Sequence, residues 1–122
     1  MDKRLKKLRL ITELALNSEK SKLKELAMVQ DEKTAQIKAL DDSAAQRAAA
    51  LGQAGGADVA LLAGADAKWA RWRQQQKAAL NIQLAGLRAK QEEQRQITKR
   101  AFGKNQVVER LLEETAAQNR GK

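Results

Sequence analysis

The sequence predicts an all-α fold, a long two-helix antiparallel coiled-coil hairpin, on three observations. Proline is absent from all 122 residues, apolar side chains recur three or four positions apart over most of the chain, and one glycine cluster, Gly52-Gln53-Ala54-Gly55-Gly56, interrupts the pattern. Proline is the strongest helix breaker and glycine the next, so a chain rich in Ala, Leu, Gln, Glu, Lys and Arg has little to stop a helix elsewhere. Val, Ile and Thr are sparse and Tyr is missing, and no stretch alternates apolar with polar residues for long enough to cover a sheet face.

The first arm is expected over residues 2–51. Leu5, Leu8, Ile11, Ala15, Leu16, Leu23, Leu26, Ile37, Leu40, Ala44, Ala48 and Leu51 form one stripe, and Lys20, Lys22, Lys24, Glu25, Asp31, Glu32, Lys33 and Lys38 keep the other faces in water. Pairs such as Glu19 with Lys22 add tenths of a kcal/mol each. The turn is expected over 52–66. Gly55 and Gly56 free the backbone, Asp58 is placed to cap a following helix, and Gly64 with Asp66 repeats the signal, so Val59 to Ala63 is either an extra helical turn or part of a longer loop. The second arm is expected over 67–118, through Trp69, Trp72, Leu80, Leu84, Leu87, Ile97, Ala101, Val108, Leu111 and Leu112, with a frayed tail at 119–122.

A helix of such length exposes an apolar stripe that needs a partner, and a short turn makes the other arm the nearest one. The seam between them is polar in places: Thr12, Gln30, Lys33, Gln76, Gln83, Lys90 and Gln94 fall in rough phase with the leucines. Such residues fix register and pairing at a cost in stability, and they also suit partner binding.

Composition removes most enzyme chemistry. There is no Cys and no His, hence no disulfide, thiolate nucleophile, zinc cluster or catalytic dyad. The carboxylate pairs Asp31-Glu32, Asp41-Asp42, Glu92-Glu93 and Glu113-Glu114 are adjacent in sequence, so on a helix they diverge by about 100° and cannot share a substrate. The glycine cluster lacks the Gly-Lys-Ser/Thr ending of a phosphate loop. No catalytic residue, cofactor or metal ligand is therefore expected, and the chain is read as non-enzymatic. The basic start is not followed by an apolar segment ending in small residues, and the longest apolar stretches fall far short of the ~20 residues that span a bilayer. A soluble, cytoplasmic protein is expected, with membrane association only through partners.

The formal charge of +9 comes from 24 basic against 15 acidic residues and implies attraction to an acidic surface. The cations concentrate at Lys3, Arg4, Lys6, Lys7 and Arg9, again at Lys99, Arg100, Lys104 and Arg110, and at Arg120 and Lys122. A hairpin brings these groups together at its open end. Trp69 and Trp72 lie toward the closed end, three apart and so on one helical face. They can staple the seam against Ala44, Ala45 or Ala48. One packed and one exposed is the expected arrangement, since tryptophan is enriched in binding hot spots.

The start Leu5-Lys6-Lys7-Leu8, the segment Trp69-Ala70-Arg71-Trp72, and the late run from Ile97 through Glu109-Arg110-Leu111-Leu112 to Glu114 resemble the FliJ-like proteins of flagellar and related type III export systems. That resemblance spans the whole chain. It implies a stalk at the base of a secretion apparatus whose open end enters the hexameric ring of an export ATPase, with Lys6, Lys7, Arg9, Lys99, Arg100, Lys104 and Arg110 as contacts. It also implies a closed end that meets the export gate through Trp69 and Trp72.

Two other readings stand beside it. An export chaperone or scaffold coiled coil would hold client helices along the weak seam between Leu23 and Leu40. A nucleic-acid-binding hairpin would use the net charge, but interspersed acids and the lack of a recognition motif or of an aromatic platform among the cations argue against it.

Overall fold

The structure is a computed structural model that describes residues 2–53 and 58–121, with side chains over 3–53 and 63–121. Two helices account for nearly all of them: α1 spans Asp2–Gln53 and α2 spans Asp58–Arg120, with no strand among the described residues. The helices pack against each other as an all-α helical hairpin with coiled-coil character.

Three boundaries differ from expectation. The first helix runs through Gly52 to Gln53, the second begins at Asp58 rather than at residue 67, and it continues past 118 to Arg120. Gly64 and Asp66 are therefore helical. A Cβ added at Gly64 would meet nothing, so only its weak propensity opposes the helix, and one such glycine does not end it. At the other end the Gly121 amide donates to the Ala117 carbonyl at 3.1 Å, and Arg120 Nε donates to the Ala116 carbonyl at 3.3 Å. The last turn is thereby tied where a frayed tail was expected. The turn residues 54–57, and the capping role expected of the Asp58 side chain, lie outside what the structure describes.

The chain divides into two compact units, Met1–Ala27 with Ala89–Lys122, and Met28–Arg88. In the first, the terminal unit, the shielded positions of α1 include Leu5, Arg9, Thr12, Leu16, Glu19, Leu23 and Leu26, and those of α2 include Gln91, Gln94, Thr98, Ala101, Asn105, Val108 and Leu112. Both sets alternate steps of four and three, which is the heptad seam of a coiled coil. Leu16 and Val108 are its buried members. Thr12 pairs with Asn105 and Glu19 with Gln94, so rising numbers on one helix meet falling numbers on the other: the helices are antiparallel.

In the second, the turn-side unit, the same spacing runs through Gln30, Lys33, Ile37, Leu40, Ala44 and Leu51 on α1 and through Asp66, Ala70, Arg73, Lys77, Leu80, Leu84 and Leu87 on α2. Leu80 and Leu84 are buried. Asp41 reaches Arg73 and Lys77, and Arg47 reaches Asp66, again antiparallel.

The expected stripe is thus partly redrawn. Leu8, Ile11, Ile97 and Leu111 are exposed, as are Gln76, Gln83 and Lys90, which were expected on the seam. Arg9, Glu19, Arg73 and Lys77 take seam positions instead, each partly shielded there.

Candidate functional site

Two surfaces carry the residues singled out in the sequence. The terminal unit contains both basic clusters. Lys6, Lys7 and Arg110 are exposed on it, and Arg9 is partly shielded beside Glu13 at 3.8 Å. Arg100 and Lys104 line a groove with Thr12, Ala15, Glu19, Ile97 and Ala101. Lys99 lines a different groove, with Leu16, Lys20, Leu23, Arg95, Thr98 and Phe102 among its neighbours. The cations expected to act as one pole are therefore divided between the two flanks of the seam and the outer faces of the helices. The second groove also sets the aromatic ring of Phe102 among Lys20, Arg95 and Lys99, a grouping the sequence did not suggest.

Between these flanks lies a polar layer. Gln94 Nε2 donates to a Glu19 carboxylate oxygen and, at 3.2 Å, to the Glu19 carbonyl. The Thr98 hydroxyl donates to the Gln94 carbonyl at 2.8 Å. Lys22 Nζ approaches the same Glu19 carboxylate at 3.4 Å, the pair anticipated from spacing. The Gln94 hydrogen bond first, and Lys22 after it, hold the Glu19 carboxyl below its ordinary range. About two helical turns from this layer toward the chain ends, Thr12 Oγ1 donates to Asn105 Oδ1 at 2.8 Å.

The turn-side unit contains the tryptophans. Their ring centroids are 6.3 Å apart at a tilt of 38°, a favourable aromatic pair. Trp69 is half-buried and carries the Arg47 guanidinium carbon 4.4 Å over its ring. Trp72 is 47% exposed and borders a groove lined by Gln36, Ala39, Leu40, Ser43, Gln76 and Leu80. Arg47, which the sequence pattern does not single out, stacks over Trp69. Beside this pair, Asp41 accepts from Lys77 Nζ at 2.9 Å and from Arg73 at 3.1 Å, and those partners, Lys77 foremost, depress its pKa. Arg73 Nε is buried without a hydrogen-bond partner.

The grooves are shallow and open, between about 220 and 430 Å³, and none encloses a small molecule. Among the described residues no group of three or more acidic, His or Cys side chains could hold a metal ion, and no helix is long and apolar enough to cross a membrane. What these surfaces expose is a mixture of apolar and charged side chains. Arg47, Asp41, Arg73 and Lys77 were not foreseen as a group. For Arg73 and Lys77 the signal is the alternation of steps of four and three once charged residues are admitted to the seam; Asp41 and Arg47 are exposed and reach their partners from beside it.

The fold is an all-α helical hairpin whose two units expose both apolar and charged side chains. Comparison with protein-family models, with curated proteins and with solved structures returned no match.

Proposed function

We propose that the chain is a non-enzymatic coiled-coil stalk or adaptor of a type III, flagellar-type protein export apparatus. In this reading the terminal unit docks on the export ATPase ring, and the tryptophan surface of the turn-side unit meets the export gate or an export chaperone, at the cytoplasmic base of the apparatus. The observation that carries it is the terminal unit itself, which gathers cations from both ends of the sequence around exposed aliphatic side chains. An acidic, partly apolar protein surface complements that combination better than a uniformly charged one does.

The test is a pull-down with a type III export ATPase, using the intact chain and a variant with Lys99→Glu, Arg100→Glu and Arg110→Glu. All three side chains are exposed, so the variant retains its fold. Retention on the ATPase is expected to fall at least about tenfold, as for loss of several steering charges. Undiminished retention would overturn the basic-surface mechanism.

A further inference from the structure

On one flank of the terminal unit, exposed side chains from both helices converge. Arg4, Leu8, Ile11 and Ala15 follow one another three or four residues apart on α1, so they share a helical face. Arg100, Lys104, Val107 and Leu111 do the same on α2, beginning with Ile97. Ala15 from the first helix and Ile97, Arg100 and Lys104 from the second line a single groove, which brings the two faces to one side of the seam. Ile11 is 62% and Val107 56% exposed, although both are large aliphatic residues.

We propose that this groove is a docking site for one amphipathic helix of a partner protein, with leucine- or isoleucine-type residues on its inner stripe and Asp or Glu beside that stripe. Docked there, the helix completes a three-helix bundle. The inference rests on reading the terminal unit as a protein-docking surface, but it does not require the partner to be the export ATPase.

Three features select this occupant. The aliphatic residues stand on both banks of a groove between two helices, and a third cylinder fills such a groove by ridge-into-groove packing. An extended peptide would gain no main-chain partner, because a helix has no free backbone edge to extend. The charge is of one sign: the positions named on the two faces include Arg4, Arg100 and Lys104 and no carboxylate. Glu19, at the floor of the groove, is already held by Gln94 and Lys22. A second copy of this chain would set like charges against each other, whereas flanking acids on a partner would meet them as ion pairs.

The experiment titrates the full chain into a fluorescently labelled synthetic helix, with leucine and isoleucine at its heptad a and d positions and glutamate at e and g. The same helix with lysine in place of glutamate, and vesicles of phosphatidylcholine with phosphatidylserine, are run in parallel. The acidic helix is expected to bind at least about tenfold more tightly than its lysine counterpart. The double variant Ile11→Asp, Val107→Asp is expected to weaken that binding by a similar factor while keeping its helical circular dichroism, because both residues face solvent. Should that variant lose its helicity, Arg100→Gln with Lys104→Gln takes its place with the same expectation. Phe102→Ser, across the seam, is expected to leave binding within about twofold.

Equal binding of both helices, failure of the acidic helix to bind at micromolar concentration, or insensitivity to the substitutions overturns the proposal. Binding to the vesicles without binding to the acidic helix overturns it in favour of an anionic membrane. If the acidic helix binds and the ATPase pull-down is negative, the groove stands and the ATPase falls.

Discussion

The guanidinium carbon of Arg47 lies 4.4 Å above the ring of Trp69. Arg47 Nε also donates to Asp66 at 3.1 Å, so one α1 side chain is fixed by two residues of α2. An Arg–Trp stack at a partly exposed site contributes about 0.5–1 kcal/mol. Arg47→Ala is expected to lower the thermal midpoint by roughly 2–5 °C and to shift tryptophan emission to the red as water reaches Trp69. Arg47→Lys keeps the charge but not the planar fork and should recover only part of the loss. Thermal melts with fluorescence detection check both, and unchanged emission in Arg47→Ala would mean that the stack does not shield the ring.

Arg73 occupies a seam position with its Nε buried and unpartnered, while its neighbour Lys77 is the closer partner of Asp41. Arg73→Met removes the orphaned donor, keeps the volume and leaves Asp41 paired. Replacement of strained seam charges by apolar residues is commonly neutral or stabilising. A rise of about 2–4 °C in the thermal midpoint is expected, and a fall of that size would show that Arg73 is a net stabiliser.

The polar layer of Glu19, Gln94 and Thr98 predicts a division between stability and register. Gln94→Leu alone leaves Glu19 without its amide partner and should lower the melting midpoint. Glu19→Leu with Gln94→Leu should restore or exceed the original midpoint while removing a constraint on sliding. Spin labels at the exposed positions Leu8 and Leu111, read by pulsed dipolar spectroscopy, are expected to give one narrow distance distribution in the parent and a broader one in the double variant.

Acid should loosen the seam in a defined direction. The folded pKa of Asp41 lies below its usual 3.8 and that of Glu19 below its usual 4.5. A depressed carboxylate stabilises the fold at pH above the unfolded value and loses that contribution as pH falls through the folded value. The thermal midpoint is therefore expected to decline once pH drops below about 4.5, and the decline should be shallower in Asp41→Asn with Glu19→Gln. Parallel slopes in parent and variant would assign acid sensitivity to other groups.

Much of the fold was legible because nothing in the chain contradicts a helix except one cluster of glycines. The seam was harder to read, since two stripes compete at the start of α1. One passes through Leu5, Thr12 and Leu16, the other through Leu8, Ile11 and Ala15. The first prevails because Leu23, Leu26, Ile37 and Leu40 continue its spacing, which leaves Leu8 and Ile11 outside. Glu19, Arg73 and Lys77 were hidden for the opposite reason. Charge suggests an outward position, yet their stems pack on the seam and their heads find partners at its rim. The start at residue 58 was one of two readings of the sequence, because Gly64 and Asp66 look like a turn, yet a lone exposed glycine does not end a helix.

Each unit holds two buried aliphatic residues, Leu16 with Val108 in one and Leu80 with Leu84 in the other, among the described side chains. So thin an interior leaves backbone amides open to brief local fraying, and any ligand that clamps the helices adds its binding free energy to theirs. A chain held by such a ligand is expected to resist proteolysis for longer than the same chain free in solution.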